Sequence, residues 1–187
     1  AVRGDLNRLI ERGAKAAGIG REEIVAAIAA GNTTMTSLFC GFDPRWIRRE
    51  PYIPPATEIP PFPAREAGLA IAERALLYLV PGVASWVGGV ITAGVLHSGL
   101  HRSEDLALLV DIGTNGEIAV GNREWILCCS CSAGPAFEGS GIACGMRAGP
   151  GAIDRCDLGG SGEPSLRTIG GEKPVGICGS GLLDLVS

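Results

Sequence analysis

Aromatic residues are scarce in this chain, at 5 % of the sequence, and charged residues account for only 19 %. A basic excess is lacking. The 16 Lys and Arg stand against 20 Asp and Glu, and the net charge of −4 argues against non-specific binding to nucleic acid. A G-X-Y period is missing, which excludes collagen, and a composition that is 46 % hydrophobic excludes a flexible linker. No charged-then-apolar leader opens the sequence, and no internal repeat of fixed period runs through it.

Glycine is what the chain has in quantity: 29 residues in 187, about twice the usual share of about 7 %. At this length one domain or two small lobes is expected. The composition describes a small-residue-rich α/β chain in which backbone approaches something closely. Seven cysteines, an odd number beside an ample apolar core, indicate reduced thiols in a cytoplasm rather than a disulfide framework. The uncharged stretch 75–96, ALLYLVPGVASWVGGVITAGVL, is long enough to cross a bilayer. Pro81-Gly82, Gly88-Gly89 and Gly94 interrupt it and no basic cluster flanks it, so it reads as a buried strand, a turn and a small-residue helix, with no membrane as partner.

Val2, Leu6, Leu9, Ile10, Ala14 and Ala17 recur at helical spacing and predict an amphipathic helix ending near Gly18. Ile24 to Ala30 is a short apolar run, strand or helix by pattern alone, that stops at Gly31-Asn32-Thr33-Thr34. Six of the twelve prolines lie between Pro51 and Pro63, which predicts an extended surface crossing excluded from helices and sheet interiors. Leu76–Val80 reads as a buried strand and Trp86–Leu96 as a helix packed closely through glycine and alanine. From Leu106 the pattern becomes strand, glycine turn, strand, Gly-Asn turn, strand, a meander of three strands. Further strands are expected near Ala152–Cys156 and Ser165–Ile169, and a last glycine turn, GICGSG, leads into the helical LLDLVS.

Four groups of residues bear on chemistry. The first is Asp111-Ile112-Gly113-Thr114-Asn115-Gly116-Glu117, after the buried run Leu106–Val110. An acid at a strand end can hold Mg²⁺ through water, and a glycine hairpin with Thr114 and Asn115 can approach phosphate oxygens. An ordinary hairpin explains the same residues, since N-G is a favoured turn pair. The second is Gly176-Ile177-Cys178-Gly179-Ser180-Gly181, where free N–H groups at a helix start form an anion site or a plain helix-initiating turn. The third is the strand-to-helix turn at Asn32 and Thr33, which binds phosphate or caps the helix. The fourth is Glu138 in AGPAFEG, a buried acid near phosphates or a carboxylate at a helix start. Cys128, Cys129 and Cys131 lack the second C-x-x-C pair that a zinc or iron–sulfur site would use, and read as small, buried strand residues. His97 and His101 lack a third ligand and read as solvent-facing residues near a turn.

Taken in order, GNTTM, the proline-rich crossing, LLVDIGTNGEI, SAGPAFEG, CGMRAGPGAID and IGGEKPVGICGSGLLD resemble the C-terminal ATPase region of the reductive activators of corrinoid proteins, in the acetate and sugar kinase, Hsp70 and actin superfamily. The resemblance runs from the first helix to Asp184 and implies an α/β fold with two ribonuclease H-like, actin/Hsp70-type ATPase lobes. It implies that residues 1–105 are the remainder of a first lobe and residues 106–187 the start of a second. By position Asp111, Gly113, Thr114, Asn115 and Gly116 match the second phosphate loop, with Asp111 holding Mg²⁺ through water, and Gly179, Ser180 and Gly181 match the adenosine-side turn. Asp111 and Glu138 are the candidate catalytic acids, and Asn32 and Thr33 join the nucleotide-binding set.

The family couples ATP to reduction of an inactive Co(II) corrinoid to Co(I), with a corrinoid protein of a methyltransferase system as the partner and a cytoplasmic setting. An N-terminal ferredoxin-type domain carries the iron–sulfur cluster that supplies the electron. Neither that domain nor the first phosphate loop is in this sequence, so the resemblance is to the middle of a larger protein. Where the family pattern GFVGAD has an acid, Trp86-Val87-Gly88-Gly89-Val90 places Val90. Loss of an acid that holds Mg²⁺ or orients water would weaken hydrolysis. A non-hydrolysing nucleotide- or partner-binding module is therefore an alternative, as is a small-molecule kinase of the same superfamily.

Overall fold

Helix α1 of the computed structural model spans Val2–Ala17, and the four-residue spacing of Leu6, Ile10 and Ala14 turns one side of it inward. The structure describes residues 2–113, 115–132, 134–135, 139–157, 159 and 164–186. Leu6 and Ile10 pack against a core of Ala64, Ala67, Leu69, Ala75, Leu77 and Leu79. Asn7 fastens the helix to the segment beneath it. Its amide donates to the Gly68 carbonyl at 2.9 Å and its oxygen accepts the Ala70 N–H at 2.8 Å.

The ambiguous apolar run becomes strand β1, Ala26–Ala29, after a 3₁₀ turn at Arg21–Glu23. Helix α2, Thr33–Cys40, follows and ends at Gly41. A second 3₁₀ turn, Pro44–Arg48, leads into the proline-rich crossing, whose end forms the two-residue strand β2, Phe62–Pro63. Strand β3, Leu76–Leu79, pairs in parallel with β1 (Ala27 opposite Leu77) and antiparallel with β2, giving the order β1-β3-β2. The prolines thus end on a sheet edge, where a missing N–H is tolerated. Strand β3 is buried on one face only, with Leu77 and Leu79 inside and Leu76 and Tyr78 outside.

The stretch 75–96 divides as its glycines predict. Helix α3 covers Gly89–Ser98, starting three residues later than the apolar pattern alone suggests, because Gly88 is its extended N-cap. A Cβ on Gly89 would stand 2.3 Å from the Val80 carbonyl oxygen, so only glycine lets the helix start lie this close to the end of β3. Among the described residues no helix is long and apolar enough to cross a membrane.

Strands β4 (Ala107–Ile112), β5 (Asn115–Gly121) and β6 (Ile126–Ser132) form the expected meander in the order β4-β5-β6. Leu109, Ala119, Ile126 and Cys128 face a core shared with Val87, Ile91 and Val95. The expectation of a buried run at Leu106–Val110 is corrected: exposure alternates along β4, and Leu106, Leu108 and Val110 lie outside. The reading of the cysteines as buried is corrected in the same way. Cys128 is half-buried, while Cys129 and Cys131 alternate onto the exposed face. A run of apolar residues does not reveal whether one face of a strand or both are covered.

Strand β7, Ala152–Asp157, pairs antiparallel with β8, Ser165–Thr168, across a register shift between Ile153 and Arg155. It pairs in parallel with β9, Gly176–Ile177, giving the order β8-β7-β9. Arg167 on β8 grips Asp154 on β7 with two bonds, of 3.1 and 2.8 Å. Helix α4, Gly179–Val186, packs on β7. The chain divides into two compact units, Ala1–Leu109 with Ile118–Cys129, and Val110–Glu117 with Ser130–Ser187.

Candidate functional site

In the first unit the Gly31–Thr33 turn joins the end of β1 to α2. Asn32 takes the capping role: its side-chain oxygen accepts the Met35 N–H at 2.8 Å. Thr33 is buried, and its hydroxyl donates to the Ala84 carbonyl at 2.8 Å. The Asn32 side-chain oxygen and the Thr33 hydroxyl are thus engaged within the protein. Gly88 presses on the same turn, since a Cβ there would lie 2.6 Å from the Cα of Asn32 and 2.7 Å from the nitrogen of Thr33. An open cavity of about 530 Å³ borders the turn, lined by apolar side chains that include Leu6, Met35, Phe39 and Leu79.

In the second unit the Asp111 hairpin closes on itself. The Gly113 N–H donates to the Asn115 carbonyl at 3.0 Å, so that amide serves the turn, while the Asn115 side chain is exposed. Gly116 lies under the thiol of Cys131, which donates to its carbonyl at 3.4 Å. Thr114 and Glu138 lie outside the described residues.

Glu117 closes the hairpin motif but carries no assigned role in it. Burial first, and then the negative charge of Asp111, hold its carboxyl above the usual carboxylate value. Period-two alternation places Asp111 with Leu109, and Glu117 with Ala119, on the inward face, and this was the signal available in the sequence. A carboxylate on each strand of the hairpin is a donor type that Mg²⁺ takes, directly or through water.

The Gly176–Gly181 turn is built against β7. The Cys178 N–H donates to the Ile153 carbonyl at 3.1 Å, and a Cβ on Gly181 would fall 2.3 Å from that same oxygen. Helix α4 therefore begins hard against the sheet, with Ser180 exposed beside the buried Cys178, whose sulfur is 3.3 Å from the Ser180 hydroxyl. The first-turn N–H groups of α4 and the exposed hydroxyl are the polar groups of this turn, of a kind that can bind an anion.

His101 sits in a 3₁₀ turn beyond Gly99, with Nδ1 3.2 Å from the Val95 carbonyl oxygen and Nε2 accepting from Arg102 at 3.1 Å. Among the described residues no group of three or more His, Cys, Asp or Glu forms a metal cluster.

A family model described as the RACo middle region matches residues 1–103, and one described as the C-terminal domain of RACo, the ASKHA domain, matches residues 105–187. The chain belongs to the family of reductive activators of corrinoid proteins. It is 33 % identical over its whole length to "Corrinoid activation enzyme RamQ" of Eubacterium limosum, covering 31 % of that protein. Over 98 residues, 52 % of the chain, it is 36 % identical to "[Co(II) methylated amine-specific corrinoid protein] reductase" of Methanosarcina barkeri, covering 18 % of that protein. A solved structure titled "Reductive activator for corrinoid,iron-sulfur protein" is similar over the whole chain with a TM-score of 0.86 and 53 % identity, and the chain covers 30 % of it. The chain therefore spans about a third of the length of this enzyme and this solved activator. The fold is mixed α/β with the ASKHA domain in its C-terminal part, as the sequence motifs implied.

Proposed function

We propose that this chain is the nucleotide-handling part of an activator that returns Co(II) corrinoid proteins to Co(I) at the expense of ATP. The observation that carries this reading is the 53 % identity, along the whole chain, to a reductive activator for a corrinoid, iron–sulfur protein. The glycine hairpin with Asp111 at its strand end supports a role on the phosphate side, in which Gly113, Thr114, Asn115 and Gly116 bind nucleotide and Glu138 is a further acid. Gly179, Ser180 and Gly181 serve the adenosine side. Asn32 and Thr33 join the nucleotide-binding set, Asn32 through its side-chain amide and Thr33 through its backbone. Residues 1–105 belong to a first lobe and residues 106–187 to a second.

Bound Mg²⁺ supplies positive charge that neutralises phosphate oxygens. When Mg²⁺ is bound, Asp111 and Glu117 would hold its water shell, and the glycines of the two turns, which carry no side chain, would admit phosphate and nucleoside. An iron–sulfur domain outside these residues would supply the one electron that takes Co(II) to Co(I). Nucleotide binding favours one conformation of the activator–corrinoid protein complex and thereby drives an uphill transfer. The setting is cytoplasmic, with the corrinoid protein of a methyltransferase system as partner.

The deciding experiment is ATPase activity of the full-length protein with and without a Co(II) corrinoid protein. Stimulation by the partner is expected. Nucleotide binding without any stimulated turnover would support the second reading, a non-hydrolysing module. Val90 favours that alternative, since it stands in the first turn of α3, where no acidic residue is found.

A further inference from the structure

Two exposed loops of the first unit are fastened together some distance along the chain from any phosphate motif. Tyr52, at the start of the proline-rich crossing, has φ of +59°, a left-handed conformation that a bulky side chain rarely adopts and that concentrates at functional positions. Its N–H donates to the Arg49 carbonyl at 2.6 Å, and its own carbonyl accepts the hydroxyl of the buried Ser85. Its ring meets Trp86, with centroids 6.3 Å apart and planes tilted by 52°. This aromatic pair is held in place yet left in water: Tyr52 is 46 % and Trp86 51 % exposed.

Tryptophan, tyrosine and arginine are the residues that dominate binding energy between proteins, and a pair already held in position loses little freedom on binding. Charge indicates what meets it. In a chain of net charge −4, the segment before Tyr52 carries Arg45, Arg48 and Arg49 against Asp43 and Glu50, a local excess of one positive charge. Arg45 is engaged by Asp43 at 2.5 Å, whereas Arg48 and Arg49 are exposed and make no ion pair among the described residues. The surface therefore complements an acidic one.

The loop that carries Trp86 also touches the Gly31–Thr33 turn, through the Thr33–Ala84 hydrogen bond and the close approach of Gly88. We infer that Tyr52, Trp86, Arg48 and Arg49 form the docking surface for an acidic face of the partner protein, and that the 83–88 loop ties this surface to the turn at residues 31–33. The partner's identity as the corrinoid protein rests on the functional reading above.

The test is calorimetric titration of the full-length protein with a purified Co(II) corrinoid iron–sulfur protein at low and high salt, using Trp86→Ala and the double variant Arg48→Glu/Arg49→Glu. Each variant is expected to bind the partner at least about tenfold more weakly. The double variant should also lose the salt dependence of the wild type while keeping its melting temperature and its affinity for ATP. Wild-type partner affinity in the double variant overturns the docking surface, whatever Trp86→Ala does to folding. Unchanged partner affinity together with lost self-association in sedimentation assigns the surface to a second copy and overturns it as well. A wild-type protein that binds ATP but no corrinoid protein overturns the functional reading and the docking assignment with it.

Discussion

Thr33 donates its hydroxyl to the carbonyl oxygen of Ala84 at 2.8 Å, a bond that closes 51 residues of sequence and joins the first turn of α2 to the loop before α3. Replacing the hydroxyl leaves the Ala84 carbonyl with only the longer bond from the Val87 N–H, at 3.3 Å. Thr33→Val is therefore expected to cost about 0.5–1.5 kcal/mol in denaturant unfolding of the full-length protein, and Thr33→Ser to restore most of it. Equal stability of the valine variant would mean that the bond contributes nothing.

Gly88→Ala is expected to be more damaging than its one added methyl suggests. The atoms in its way are backbone of Asn32, Thr33 and Gly31, at 2.6, 2.7 and 2.8 Å, and none can rotate aside. A loss of about 1–3 kcal/mol with weaker nucleotide binding is the expected outcome. Gly4→Ala is the comparison, since nothing lies within 4 Å of its Cβ position on helix α1. That change should be neutral or stabilising by up to about 1 kcal/mol. Melting temperatures of both variants, with an ATP titration, check the pair.

Asp111→Ala in the full-length protein is expected to abolish Mg-ATP binding. Isothermal calorimetry with nucleotide decides it, and unchanged affinity would reduce the Asp111 hairpin to a turn.

Glu117 gives stability a pH dependence of definite sign. Its carboxyl is raised above the ordinary value of 4.5, first by burial and then by Asp111. Its contribution to stability is therefore intact below that ordinary value and is lost as pH rises through the folded one. Glu117→Gln removes the loss, so the variant should be more stable than wild type near pH 7 and indistinguishable from it near about pH 4. Urea midpoints at the two pH values measure this, and a gap of equal size at both would contradict it. Adding Mg²⁺ at neutral pH should narrow the gap if the cation sits between the two carboxylates.

Much of this arrangement could be read from the residues. The meander at residues 107–132 follows from its glycine and Gly-Asn turns, and α3 follows from the small residues after Gly88. Strand β1 could not be told from a helix by its apolar run, because parallel pairing with β3 across a long separation decides it. Which faces of β3, β4 and β6 are covered was likewise invisible, since that depends on what packs from outside each strand. Of the candidate site, Asp111 and Gly181 could be named from their motifs. Glu117 could not, because its perturbation needs the hairpin that brings it to Asp111. The engagement of the Asn32 side-chain oxygen and the Thr33 hydroxyl needed the partners Met35 and Ala84.

The alternation of β4 and β6 bears on how the polypeptide behaves in a test tube. Leu108 at 65 % and Leu127 at 66 % exposure leave a greasy stripe on strands at the two ends of a three-stranded sheet. Unpaired strand edges beside bare leucines invite intermolecular strand pairing and precipitation. These 187 residues expressed alone should therefore come out of solution as concentration rises, and lysine at positions 108 and 127 should delay it.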